Sequence, residues 1–122
     1  MTLLGVVVAG VLGAPARYLL DAVISERTRG VFPWGTLVVN VSGSLALGFL
    51  GGLALYQGFP ATARTVLGTG FLGAYTTFST FTYETLAVAR EESRVLALGY
   101  VIGSVLAGVA AAAAGLALAA AL

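Results

Sequence analysis

GFLGAYTTFSTFTYE, residues 70–84, sets Thr76, Thr77, Ser79, Thr80 and Thr82 behind two glycines, Gly70 and Gly73, with Phe78 and Phe81 among them. The surrounding sequence is apolar from about Arg64 to Ala89. A run of that length crosses a bilayer, whose ~30 Å core takes about 20 residues at ~1.5 Å each. Hydroxyls at such depth need partners, because an unsatisfied polar group there costs several kcal/mol. A single Ser or Thr meets that need by bonding back to a carbonyl of the preceding turn. The five hydroxyls that follow two glycines exceed it. Glycines followed by hydroxyls allow the helix to break inside the membrane, where irregular backbone is tolerated only against protein or a cavity. Such a break offers N–H groups to an anion and free carbonyls to a hard cation.

The rest of the chain has the composition of a membrane protein: 122 residues, 59% hydrophobic, 9% charged, with a mean hydropathy of +1.01. An average soluble domain carries about 25% charge. Hydropathy predicts one domain of four transmembrane helices, about 2–24, 33–56, 64–89 and 95–122, joined by the polar turns SERTRG, QGFPATAR and AREESR. Ala14-Pro15-Ala16 resembles a leader cleavage site, but no basic residue precedes the first apolar run, so that run is read as a span. Cysteine and histidine are absent, which removes disulfides, thiolates, imidazole bases and the usual transition-metal ligands. The arginines are scattered near segment ends, without the basic runs that nucleic-acid binding needs. Arg27, Arg29, Arg90 and Arg94 fall in the first and third loops against Arg64 alone in the second, an orientation bias of the positive-inside kind.

Small residues recur every four positions in three spans, as Gly5, Ala9 and Gly13, as Gly48 and Gly52, and as Ser104 and Gly108. Membrane helices associate through such stripes because they permit close backbone approach. Neutral polar residues form a second set of stripes. Thr36, Asn40 and Ser44 share one face of span two, and Tyr100 and Ser104 one face of span four. Carboxylates are missing near the middle of spans one, two and four, and Glu84 lies toward the end of span three. A path rich in donors and poor in negative charge favours anions. A hydrated anion would exchange its water for Ser, Thr, Tyr and Asn donors and for the positive edges of aromatic rings. Phe78 and Phe81 share a face at i, i+3 spacing. Spacing alone fits lipid-facing or packing aromatics as well.

GAPARY (13–18), GTLVVNVSGSLALG (35–48) and GFLGAYTTFSTF (70–81) resemble the signature segments of the Fluc, or CrcB-type, fluoride channels, and the resemblance covers all four spans. It implies an all-α dimer of two four-helix subunits inserted in opposite orientations, with the third helix broken, two fluoride pathways and a structural sodium ion at the dimer interface. By resemblance, Phe78 and Phe81 are the paired pore phenylalanines, Asn40 is the pore asparagine, and Tyr100 and Ser104 belong to the polar track of span four. Ser79 and Thr80 would line the pathway, with Thr36 and Glu84 at its mouths. Gly73 and Thr76 would hold the sodium ion through backbone carbonyls, and Arg17 matches a span-one arginine of structural role. Gly108 departs from the pattern, since relatives often carry a hydroxyl there.

The implied function is passive, fluoride-selective export from the cytoplasm across a prokaryotic plasma membrane, protecting the cell from fluoride, with no enzymatic step. The expected partners are fluoride, sodium, lipid and a second copy of the chain, or an oppositely oriented homologue if the arginine bias fixes one orientation. Two other readings compete. A small multidrug-type, proton-coupled exporter would need a deep carboxylate that span one lacks. A non-transporting scaffold subunit would leave the Phe and hydroxyl segment without a role.

Overall fold

The computed structural model describes all residues from Met1 to Leu122. Its elements are helical throughout: α1 (Thr2–Thr28), α2 (Trp34–Tyr56), α3 (Ala61–Thr65), a π-helical stretch (Val66–Leu72), α4 (Gly73–Tyr75), α5 (Ser79–Glu91) and α6 (Arg94–Ala120). Three of them, α1, α2 and α6, are long and apolar enough to cross a membrane. The segment between α2 and α6 is instead a succession of shorter pieces.

Local chemistry sets the ends of these elements. Pro33 and Pro60 stand immediately before α2 and α3, where a fixed φ suits helix entry. Gly58, at φ +65°, turns the chain between them in a conformation that costs glycine little. Ser93 caps α6, its Oγ accepting from the amides of Val95 and Leu96 at 3.1 and 3.2 Å.

Packing follows the small residues. The most extensive helix pair is α2 with α6, where a side chain at Gly48 would collide with the Ala112 carbonyl. A Cβ at Gly115 would come within 2.7 Å of the Phe49 nitrogen, and one at Gly52 within 2.5 Å of the Ala119 methyl. On the opposite side α1 lies against the π-helical stretch, where a Cβ on Gly70 would come within 2.8 Å of the Val6 carbonyl oxygen and 2.9 Å of the Ala9 methyl. The stripes at Gly5, Ala9 and Gly13 and at Gly48 and Gly52 therefore sit at helix crossings. In α6 the tightest approach lies beyond Ser104 and Gly108, at Ala112, Gly115 and Ala119. The C-terminal half of that helix is so uniformly small that no one stripe stands out in its sequence.

Only 14 of the 122 residues are buried, and the outward-facing side chains include Leu3, Val7, Val11, Leu98, Leu106 and Val109. A surface this apolar is matched to lipid rather than water. The segment between α2 and α6 is shared between two neighbours: the π-helical stretch and α4 pack on α1, whereas α5 packs on α6. The two parts meet at residues 76–78.

Candidate ion pathway at residues 76–78

Thr76 leaves the helix in an extended conformation, φ −78° and ψ 158°, and α5 begins only at Ser79. Within an unbroken helix the carbonyl of Gly73 would accept from the amide of Thr77, and that of Thr76 from the amide of Thr80. Both donors are diverted. The Thr77 amide donates to Asn40 Oδ1 at 2.9 Å, and the Thr80 amide to Thr77 Oγ1 at 3.1 Å. Gly73 and Thr76 therefore keep carbonyls that accept no hydrogen bond from the chain. Their neighbours are covered by side chains from other helices: Asn40 Nδ2 donates to the Thr77 carbonyl at 2.8 Å, and Arg17 Nε to the Ala74 carbonyl at 3.4 Å.

The approach of α2 that allows this depends on Gly43, whose bare backbone accommodates the Thr76 methyl. Beside it opens a groove of about 300 Å³, walled by Asn40, Ser44, Gly73, Thr76, Thr77 and Phe78 among others. The hydroxyls of the segment divide between two duties. Thr76 and Thr82 bond back to carbonyls of the preceding turn, Leu72 at 3.0 Å and Phe78 at 2.6 Å, as membrane-helix threonines commonly do. Thr77 receives the Thr80 amide in the manner of a helix-capping residue, with the Ser79 hydroxyl 3.4 Å from its own.

Aromatic rings lead from the groove into the helix packing. Phe78, 76% exposed, lies with its ring centroid 5.9 Å from that of Phe81. Phe81 is 5.1 Å from Tyr100, and Tyr100 meets Phe32 edge-on at 5.3 Å and 81°. Tyr100 is fully buried, yet neither its hydroxyl nor that of Ser104 has a hydrogen-bond partner. Buried polar atoms are nearly always satisfied, so two adjacent exceptions on one helix face mark a place equipped to receive a ligand or water. Close by, Thr36 donates to the Glu84 carboxylate.

The residues singled out from sequence thus occupy two neighbouring regions. Asn40, Gly73, Thr76 and Phe78 border the groove. Phe81 joins them by its ring contact with Phe78 to the second group, Tyr100 and Ser104 on α6, with Thr36 and Glu84 paired between α2 and α5. The Thr36, Asn40 and Ser44 stripe does not serve one surface: Asn40 and Ser44 wall the groove, while Thr36 is buried on Glu84. Thr80 lines a narrow recess that also includes Arg17, Asp21 and Thr77. Sequence reasoning passed over Thr77 as a site residue; its role shows only in three dimensions, where its hydroxyl accepts from the Thr80 amide and its backbone pairs with Asn40. It also missed the Tyr75 hydroxyl, 2.8 Å from Ser42 Oγ, with its ring stacked on Phe71 at 5.9 Å. Nothing in the sequence relates those two helices at that point.

A small multi-pass helical membrane protein built around a polar groove is the class that this fold and site define. The CrcB-like protein family, described also as camphor resistance (CrcB), matches residues 4–116, and the chain belongs to that family. A Moorella thermoacetica protein named fluoride-specific ion channel FluC 2 is 52% identical over 100 residues, covering 81% of this chain and 80% of its own. Frankia casuarinae fluoride-specific ion channel FluC 1 is 47% identical over 124 residues, covering 98% and 96%. Cutibacterium acnes fluoride-specific ion channel FluC 2 is 48% identical over 119 residues, 97% of each chain.

Proposed function

We propose that the protein is a passive, fluoride-selective channel that exports fluoride from the cytoplasm. The observation that carries this reading is near-half identity, over almost the whole length, to relatives named fluoride-specific ion channels. The chemistry of the site supports it. Fluoride holds its hydration shell tightly, and a path that replaces water must supply hydrogen-bond donors in its place. One Nδ2 hydrogen of Asn40 remains after its bond to Thr77, and the Tyr100 and Ser104 hydroxyls are uncommitted. Ser79 and Thr80 add hydroxyls beside Phe78 and Phe81, whose ring edges are positive. Export runs down the ion's own gradient, so no proton or nucleotide is required.

On this reading residues 76–78 lie at membrane depth and the working unit is an antiparallel dimer in a prokaryotic plasma membrane. The open carbonyls of Gly73 and Thr76 suit a hard cation, and a second copy would bring another such pair, making four oxygens for a sodium ion at the interface. Such an ion would neutralise carbonyl dipoles beside the groove. Arg17, through the Ala74 carbonyl, ties the same turn to α1.

The test is fluoride efflux from liposomes containing the purified protein, followed with a fluoride electrode, with chloride release and protein-free liposomes as controls. Fast fluoride release without chloride release is the expected result. A well-folded dimer that releases neither ion would overturn the reading.

A further inference from the structure

Asn40 touches two things at once, and only one of them is the groove. Its amide forms a closed pair with the Thr77 backbone, Nδ2 to the carbonyl at 2.8 Å and Oδ1 from the amide at 2.9 Å, across 37 positions of sequence. The Thr77 amide is the group that would otherwise close a helical bond on the Gly73 carbonyl. With Asn40 in place that carbonyl accepts nothing from the chain. We propose that Asn40 is the positioning residue of the cation site: its Oδ1 keeps the Gly73 carbonyl open by holding the Thr77 amide away from it.

This inference rests on the proposed sodium site and goes beyond a role for Asn40 as a donor to the anion. The two edges of one amide then serve two ions. Oδ1 acts through Thr77 on the cation site, and the Nδ2 hydrogen left over after the bond to the Thr77 carbonyl is available to the anion. Without the acceptor, the Thr77 amide is free to close the helical bond on the Gly73 carbonyl. Re-forming the helical bond would remove one ligand from each subunit's pair. Gly43 belongs to the same device, because its missing side chain lets Thr76 lie against α2 and so brings Thr77 within reach of Asn40.

The experiment compares the full-length protein with Asn40→Ala and Asn40→Asp, each purified in detergent and titrated with sodium chloride against N-methylglucamine chloride. The primary readout is the sodium concentration that gives half of the thermal stabilisation, which does not depend on transport. Fluoride efflux at saturating sodium is the second. Asn40→Ala should raise the sodium midpoint at least tenfold. Asn40→Asp keeps an oxygen for the Thr77 amide and loses the donor, so its midpoint should not rise beyond threefold the parent's, the added negative charge favouring the cation, while efflux falls at least tenfold. If the alanine variant does not fold, the aspartate arm still decides, since a midpoint raised tenfold there would contradict capture of the amide by oxygen. A parent-like midpoint in Asn40→Ala would overturn the proposal and leave Asn40 to the anion alone. If the parent itself shows no sodium-dependent stabilisation, the cation site falls, and this inference with it.

Discussion

Phe81 holds the junction between the groove and the buried hydroxyls, since its ring is the one that touches both Phe78 and Tyr100. Replacing it by isoleucine keeps an apolar side chain of moderate bulk and removes the ring edge. Fluoride efflux from liposomes should fall at least tenfold in Phe81→Ile, with dimer assembly by size-exclusion chromatography unchanged. Tyr100 permits a cleaner separation of packing from function. Its hydroxyl is buried without a partner, so Tyr100→Phe removes no protein hydrogen bond and should leave the stability the same or higher, by up to about 1 kcal/mol. Efflux should nonetheless drop if that hydroxyl receives the ion, and an unchanged rate would take Tyr100 off the path. At this scale the sequence was informative about which side chains matter and silent about what they do. Two rings at i, i+3 and an asparagine amid valines stand out in any apolar span. That Asn40 spends two of its hydrogen-bonding groups on the backbone of Thr77 is a tertiary fact, with no signal in either local stretch.

The helices were largely legible as elements because hydropathy and small-residue spacing act over whole segments. The π-helical stretch from Val66 to Leu72 was not, since VLGTGFL satisfies an α-helical pattern equally well. Its course is set from outside, where Gly70 and Gly13 admit backbones from the facing helix. Two predictions belong to this level. Thr77→Val removes the acceptor of the Thr80 amide and should cost about 1 kcal/mol, read as an earlier thermal unfolding in detergent. Gly48→Leu forces α2 away from α6 at their closest crossing, and overpacking of that kind costs typically 1–3 kcal/mol. Gly51, which faces open space one turn away, should tolerate the same leucine, so the pair distinguishes packing from a general aversion to bulk.

For the molecule as a whole the decisive quantity is orientation. Four arginines in the first and third connections against one in the second would bias insertion, while an antiparallel homodimer needs both orientations in comparable amounts. The absence of cysteine makes the measurement direct. Thr62→Cys and Glu92→Cys place single thiols in the second and third connections, and an impermeant maleimide applied from outside should label roughly half of each if both orientations occur. Complete labelling of one and none of the other would mean a single orientation and an oppositely oriented homologue as partner. No reading of one chain could give this, because the balance is struck during insertion and the apolar exterior is shared between lipid and protein.

The division of the segment between α2 and α6 between two neighbours also orders its making. As the chain emerges, α1 is already available when the π-helical stretch and α4 arrive, so that half can settle at once. The main partner of α5 is α6, the last element to be synthesised. Residues 76–78 therefore stay unfinished until the final helix has left the ribosome, and a chain cut short before Arg94 would lack the helix on which α5 packs.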